Sequence, residues 1–161
     1  MATRSTIALE FADGTVEQVY CHWDGYLAHN GQILLKHYSD PFKLQRLIDL
    51  GALSSLSTEI GVKHAFDNPG RYGTPEHEAY RKQHEHMCLF YARDRGEDLV
   101  KHTFKSFEDY KANFQGEEYN YILRQVNGAA VWFVASYITN DRFVRLSEAM
   151  ENEAKDKEAV E

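Results

Sequence analysis

Alternating apolar and polar residues mark the first two elements of the chain. Residues 6–11 (TIALEF) alternate, an Asp-Gly pair follows as a turn signal, and residues 16–23 (VEQVYCHW) alternate again. This pattern predicts an amino-terminal β-hairpin. Because side chains alternate along a strand, we expect Tyr20 and His22 on one face of the second strand. Trp23 is then expected on the other face.

Apolar residues spaced three and four apart predict two helices after the hairpin. Asn30 is expected to cap a short helix over residues 31–38, because its side chain can accept a hydrogen bond from a free backbone N–H. Asp40 suits the N-cap of the second helix and Pro41 its first turn. Gly51 is expected to end that helix.

The middle of the chain combines a polar segment with three shorter elements. Residues 54–75 are rich in polar and turn-forming types, and we expect this long connection to form a flap. A helix is predicted over residues 74–84, a buried strand over 87–92 and a further helix over 106–114.

A second hairpin and a final helix complete the pattern. Residues 119–126 and 129–137 flank an Asn-Gly turn, and the later strand is apolar on both faces. That strand is therefore predicted to lie in the centre of the sheet. The spacing of Phe143, Leu146 and Met150 predicts an amphipathic helix, which can either cover the sheet or pair two protomers.

Together these elements predict an α+β fold. We expect a single antiparallel sheet of about five strands, built from two hairpins plus a middle strand, with helices packed on one face. A length of 161 residues, 43% of them apolar, suits one hydrophobic core. The predicted organisation is one domain over residues 1–150 and an acidic, frayed tail over residues 151–161.

Charge and composition narrow the classes of partner. The formal net charge is −7, and residues 148–161 hold six of the acidic side chains against two lysines. General nucleic-acid binding is therefore disfavoured, because it requires a basic face. The sequence contains no apolar run long enough to cross a bilayer and no signal-peptide pattern, so we expect a cytoplasmic protein without membrane contact. Cys21 and Cys88 have apolar neighbours and are expected to be buried free thiols.

Two short strings carry a resemblance. Residues 20–26 (YCHWDGY) and residues 93–97 (RDRGE) are similar to strings in small proteins of unassigned function that bacteriophages and prophages encode. The likeness covers chiefly residues 1–56 and 87–98. It implies a phage context, and hence action in the cytoplasm of a host cell, but it implies no particular activity.

Two groups of residues are weak candidates for chemistry. His22 and Asp24 are two positions apart at the end of a strand, where they can form an acid–base pair or hold a metal. The alternative is that Asp24 only shapes a turn. His84, His86 and Cys88 share one face if that segment is extended, and can then bind zinc. Their spacing is not that of a paired zinc motif, and a half-exposed histidine edge is the alternative.

The arginine-rich string is the candidate anion site. Arg93 and Arg95 offer two guanidinium groups for a phosphate or carboxylate, unless pairing with Glu97 and Asp98 neutralises them. Nearby aromatic residues can stack on a base. The full predicted ligand-binding set is Arg93, Arg95, Tyr20, Trp23, Tyr26 and Tyr91.

These observations favour a non-enzymatic protein. The sequence lacks a glycine-rich phosphate loop, a Ser-His-Asp order and a His-Glu-x-x-His helix, so we expect no cofactor. The leading hypothesis is a phage or prophage accessory protein that binds and inhibits a host protein, for host takeover or against host defence. One alternative is a protein that binds or sequesters a nucleotide or cyclic nucleotide. A second alternative is a metal-dependent hydrolase.

Overall fold

Eight strands form one mixed sheet in the computed structural model, which describes residues 2–66 and 71–160. The strands are β1 (Ser5–Glu10), β2 (Val16–Cys21), β3 (Leu53–Ser55), β4 (Leu89–Phe90), β5 (His102–Phe104), β6 (Tyr119–Val126), β7 (Ala129–Ser136) and β8 (Val144–Arg145). The helices are α1 (Gln32–His37), α2 (Pro41–Ile48), α3 (Pro75–His84), α4 (Tyr91–Arg95), α5 (Phe107–Asn113) and α6 (Leu146–Val160). A π-helical turn (Leu27–Gly31) precedes α1, and a 3₁₀ turn (Tyr137–Thr139) follows β7.

The strand order is β4-β3-β2-β1-β6-β7-β8, and β5 also pairs with β2. Both predicted hairpins are present, since β1 pairs antiparallel with β2 and β6 with β7. The predicted single antiparallel sheet of about five strands is wrong, because β1 runs parallel to β6 and β2 runs parallel to β3. Ile7 of β1 lies opposite Val19 on one side and Tyr121 on the other. The long segment between the hairpins provides the crossover that a parallel pair requires.

Helices cover both faces of the sheet, which corrects the prediction of helices on one face. The larger core lies on the first face, where Ile7, Val19 and Tyr121 pack among residues of α1, α2 and α6. A smaller aromatic core lies on the second face, where Tyr110 of α5 packs against Ile122. The first hairpin therefore has both of its faces covered, and alternation along a strand does not reveal a second helical layer.

Side-chain caps begin three of the helices that the sequence predicts, and the cap at Asp40 was itself predicted. Asp40 accepts a hydrogen bond from the backbone N–H of Phe42 at 3.0 Å and begins α2. Thr74 accepts one from the N–H of His77 at 3.3 Å and begins α3. Ser106 caps α5 in the same way. These hydrogen bonds are local, so a short sequence window contains both partners.

Three predicted elements differ from the structure. The middle strand is limited to β4, because the chain turns helical at Tyr91. The centre of the sheet is β1 rather than β7, which has only the two-residue β8 outside it. Phe143 precedes α6 and packs against Phe107 on the second face, with ring centroids 5.8 Å apart. Phe143 has the spacing of the helix stripe, so the sequence pattern assigned it to the helix. Spacing does not show on which face of the sheet an apolar residue packs.

The segment predicted as a flap, residues 54–75, begins within a β-strand. Residues Ser54 and Ser55 belong to β3, and Glu59 forms a parallel bridge with Met87. Residues 67–70 lie outside the described residues, so the flap prediction is not decided there. Within the described ranges, no helix is both long and apolar enough to cross a membrane.

The start of α6, rather than its acidic end, holds the helix on the sheet. Leu146 and Ala149 are buried, whereas the described side chains after Met150 are exposed apart from a half-buried Glu153. Deleting residues 154–161 should therefore change the free energy of unfolding by less than about 0.5 kcal/mol. Leu146→Ala should lower it by about 2–4 kcal/mol, because it leaves a cavity. Urea denaturation followed by circular dichroism measures both, and a large loss on deletion would contradict this assignment.

Candidate functional site

The aromatic loop, defined as residues 22–26 (HWDGY), continues directly from β2. The N–H groups of His22 and Trp23 donate to the carbonyls of Leu53 and Ser54 at 3.1 and 3.0 Å, which extends the parallel pairing with β3. Asp24 then adopts a φ of +56°. This left-handed conformation turns the chain away from the sheet, and aspartate tolerates it better than most residues.

Gly25 fixes the loop against the start of β1. Its N–H donates to the carbonyl of Thr3 at 2.8 Å, and its carbonyl accepts a hydrogen bond from the Tyr121 hydroxyl at 2.6 Å. A Cβ at this position would lie 2.7 Å from the Cβ of Ser5 and 2.9 Å from the Thr3 carbonyl oxygen. Only glycine allows the two backbones to approach this closely.

Asn30 supports the loop from inside the protein. It is fully buried, and its Nδ2 donates to the Trp23 carbonyl at 3.2 Å and to the Ser5 hydroxyl at 3.3 Å. Its backbone N–H donates to the carbonyl of Asp24 at 3.2 Å. The predicted role as the cap of α1 is wrong, because the side chain makes tertiary hydrogen bonds and no cap hydrogen bond. The backbone on both sides of Trp23 is thus held by buried polar contacts.

Two large aromatic side chains project from this fixed backbone. Trp23 is 44% exposed and Tyr26 is 40% exposed. The His22 ring lies edge-on to Trp23 at 4.7 Å, and its Nδ1 is 2.7 Å from the Tyr20 hydroxyl. Tyr20 and His22 thus lie on the same side of the chain, as the alternation predicts. Trp23 lies beyond the end of β2 and is 44% exposed, rather than packed on the opposite face of the strand.

The candidate pair His22 and Asp24 is not brought together. His22 bonds to Tyr20, and no hydrogen bond or ion pair among the described residues joins it to Asp24. Because Asp24 lies beyond the end of the strand with a positive φ, the period-two argument does not apply to it. Burial raises the pKa of Tyr20, so this phenol stays protonated at neutral pH.

The Arg93 side chain is mostly buried and connects three chain segments by hydrogen bonds. Its guanidinium donates to the carboxylate of Asp94 at 2.9 Å and to the Cys88 carbonyl at 3.0 Å. It also donates to the carbonyls of Ile60 and Gly61 at 3.0 and 3.2 Å. These four acceptors occupy the side chain with internal contacts. The predicted pairing of Arg93 with Glu97 is not what neutralises it.

Arg95 differs from Arg93 because it is exposed. It pairs with Glu97 at 3.5 Å and lies over the ring of Phe66, 5.0 Å from the centroid. Tyr91 packs against the same ring at 5.6 Å. The aromatic loop follows β2, and the helix with Tyr91 and Arg95 follows β4. Because β3 lies between β2 and β4, the two sequence strings are on opposite sides of β3.

Asp94 is the centre of a buried polar cluster that the sequence did not reveal. Its carboxylate accepts hydrogen bonds from Arg93 and from the backbone N–H groups of Phe90 and His64, at 2.9, 2.8 and 3.1 Å. Burial by itself raises the pKa of a carboxyl group, but these three hydrogen bonds outweigh burial, so the pKa of Asp94 is below 3.8. The signal available in the sequence was the adjacent Arg-Asp pair, but we interpreted Arg93 as part of an anion-binding loop.

His64 completes the Arg93–Asp94–His64 cluster. Its Nε2 lies 3.0 Å from the Cys88 carbonyl, which only accepts, so Nε2 carries a proton. The Asp94 carboxylate is 3.8 Å from the same nitrogen. On the other side of the ring, Nδ1 lies 3.3 Å from the hydroxyl of Tyr80, and His84 stacks on the ring at 5.0 Å. His64 thereby connects the end of α3 to Cys88, the residue before β4.

The three metal candidates point in different directions. His84 bonds to the Tyr80 carbonyl at 2.9 Å, and His86 is exposed and pairs with Glu85. Cys88 is buried, with its sulfur 3.4 Å from the Tyr38 hydroxyl. Among the described residues, no group of three or more His, Cys, Asp or Glu side chains is arranged to hold a metal ion. The segment is not extended over His84 to Cys88, so the three side chains do not share a face.

Both cysteines are buried free thiols, and this part of the sequence prediction is confirmed. Burial raises the pKa of Cys21 to about 12 and also raises the pKa of Cys88. A thiol rather than a thiolate is present at neutral pH, so neither sulfur is an activated nucleophile.

Comparison with family models, with curated proteins and with solved structures finds no match for this chain.

Proposed function

We propose that the chain is a non-enzymatic accessory protein of a phage or prophage that binds and inhibits a host protein through the aromatic loop. The observation that carries the proposal is the exposure of Trp23 and Tyr26 on a backbone that buried hydrogen bonds hold in place. The phage context and the cytoplasm of the host cell as its place of action come from the resemblance of the two sequence strings.

A rigid loop with exposed tryptophan and tyrosine has the properties of a binding hot spot. Trp and Tyr contribute most where they are buried on complex formation, and they are enriched among the residues that dominate binding energy. A loop that is already ordered loses little conformational entropy when a partner binds. Asn30 and Gly25 order this loop without covering Trp23 or Tyr26, so both rings remain available for a partner.

A protein partner is favoured over a small ligand at this loop. Both rings are partly exposed, and neither lines any of five clefts found among the described residues. Small molecules are usually bound in concave sites, whereas protein partners use protruding anchors. The internal contacts of Arg93 also argue against the nucleotide site expected from the sequence.

A comparison of matched baits tests the proposal. The wild-type chain, the Trp23→Ala/Tyr26→Ala double variant and the Phe42→Ala control are each exposed to a bacterial lysate, and bound proteins are quantified by mass spectrometry. Phe42 is 75% exposed on α2, so its removal deletes a comparable exposed ring outside the loop. We expect one host protein to bind the wild type and the control but not the double variant.

The partner is then purified and its affinity and activity are measured. The double variant should bind at least about 30-fold more weakly, because a hot-spot residue contributes about 2 kcal/mol or more. Saturating wild-type chain should inhibit the activity of the partner. Equal binding by all three baits, or a partner whose activity is unchanged at saturation, would refute the proposal.

A further inference from the structure

A second site, independent of the aromatic loop, is an open cleft on the second face of the sheet. Its volume is about 390 Å³, within the range of about 300–1,000 Å³ that is typical of small-molecule pockets. Four half-buried phenylalanines line its wall: Phe107, Phe114, Phe133 and Phe143. The seven-residue helix α5 contributes Phe107 and Lys111 to the lining of the cleft.

The phenylalanines leave ring surface open to the cleft. Phe143 contacts Phe107 and Phe114 with ring centroids 5.8 and 5.9 Å apart, so the three rings pack against one another. Phe133 lies on β7, beside them in the lining of the cleft. Packed rings that stay half-buried form a firm apolar surface on which a planar group can stack.

Arg124 packs on the phenylalanine wall and extends it with a charged group. Its guanidinium carbon lies 3.5 Å from the centroid of the Phe107 ring. Two of its nitrogens, Nε and Nη2, donate to one carboxylate oxygen of Glu10 at 3.2 and 3.1 Å. The guanidinium plane is therefore fixed by a ring and a carboxylate, while its Nη1 makes no hydrogen bond to the described residues. A fixed guanidinium can stack on a base and donate to an anion.

The charge of the lining is opposite to that of the protein. Lys111, Arg124 and Arg142 face Asp141 around the cleft, whereas the chain as a whole carries −7. Arg142 is exposed, and its side chain forms no ion pair with the described carboxylates. Lys111 forms an ion pair with Glu108 at 3.1 Å. Arg142 is thus the cation most available for an anionic ligand.

We propose that this cleft binds a nucleoside monophosphate, with the base stacked on the phenylalanine wall beside Arg124 and the phosphate bound by Arg142. An aromatic wall beside unshared guanidinium donors complements a ligand that joins a planar ring to a phosphate. The inference goes beyond the proposed function, since it uses none of the residues of the aromatic loop.

Calorimetric titration of the full chain with AMP tests the site. Adenosine and inorganic phosphate are titrated separately as the two halves of the ligand. AMP should bind saturably and at least about tenfold more tightly than either half, because both surfaces then contribute. Arg142→Ala should weaken AMP binding by about ten- to a hundredfold, as expected for loss of a hydrogen bond to a charged group. Arg46→Ala removes an exposed arginine on α2 and should leave binding unchanged.

Three results would overturn the proposal. The first is the absence of saturable heat with AMP and with GMP up to about 1 mM, the weak limit of a specific site. The second is AMP binding that Arg142→Ala and Arg46→Ala leave equally strong. The third is binding of inorganic phosphate as tight as that of AMP, which would make the aromatic wall irrelevant. Both substitutions replace exposed side chains, so matching thermal melts show that a loss of affinity is not a loss of fold.

Discussion

Asp94→Asn should lower the free energy of unfolding by about 3–5 kcal/mol, the largest effect that we expect from a single side chain of this protein. The carboxylate of Asp94 is fully buried and accepts hydrogen bonds from Arg93 and from two backbone N–H groups. The asparagine amide is nearly the same size as the carboxylate, but it is neutral and cannot balance the charge of Arg93. Its Nδ2 is itself a donor and would face the hydrogen-bond donors that the carboxylate accepts from. Urea denaturation of the wild type and the variant at pH 7 measures the difference.

The same contacts predict that the stability gained from Asp94 depends on pH. Folding lowers the pKa of Asp94 from its ordinary value of 3.8. The charged carboxylate therefore makes its full contribution to the free energy of unfolding above that value. The contribution is lost as the pH falls through the lower pKa of the folded state. The stability difference between wild type and Asp94→Asn should therefore shrink below about pH 4. A difference that stays constant from pH 7 down to pH 3 would show that the charge of Asp94 is not what stabilises the cluster.

Asp109 provides a matched control for this experiment. Its carboxylate also accepts a backbone hydrogen bond, from Lys105 at 2.9 Å, and that bond is the main reason that the pKa of Asp109 is lowered. Asp109 is only half-buried, in the first turn of α5, so water can replace its contacts. Asp109→Asn should be much less destabilising than Asp94→Asn, and equal losses would contradict the role assigned to burial.

Local sequence signals account for the parts of the fold that were predicted. Thr74 and Pro75 begin α3 because a cap and a fixed φ act within one turn. Asn127 and Gly128 have φ values of +52° and +83°, and these two residue types adopt the left-handed conformation that a two-residue hairpin turn requires. In each case the interaction that selects the structure lies within a few residues.

Long-range contacts account for the parts that were not predicted. The parallel pairing of β1 with β6 joins Thr6 to Asn120, whose side chains are linked by a hydrogen bond of 2.9 Å. Their separation along the chain is 114 residues. Strand patterns indicate which residues are buried, but they do not identify the neighbouring strand.

The candidate site shows the same division. Tyr20, His22, Trp23 and Tyr26 are grouped around the aromatic loop, as a contiguous string must be. Arg93 was predicted to bind a ligand, yet its acceptors come partly from Ile60 and Gly61, more than thirty residues away. A guanidinium has the same donors whether it faces a phosphate or buried carbonyls, so residue type alone did not distinguish the two roles.

Asn30→Ala should lower the free energy of unfolding by about 2–4 kcal/mol, because it leaves the Trp23 carbonyl without its side-chain donor in a buried cavity. Asn113→Ala is the matched control. Asn113 is exposed, and its Nδ2 also donates to a backbone carbonyl, that of Asp109 at 3.2 Å. Its loss should change the free energy of unfolding by less than about 0.5 kcal/mol. Urea denaturation of both variants measures these differences.

Asn30→Ala also separates the order of the aromatic loop from its chemistry, because both exposed rings remain in the sequence. If a fixed backbone is what makes Trp23 and Tyr26 a binding surface, this variant should lose affinity for the captured partner at a temperature where it is still folded. Circular dichroism establishes that temperature, and titration of the partner measures the affinity. Unchanged affinity in a destabilised Asn30→Ala protein would mean that the partner recognises the rings without needing the loop to be held.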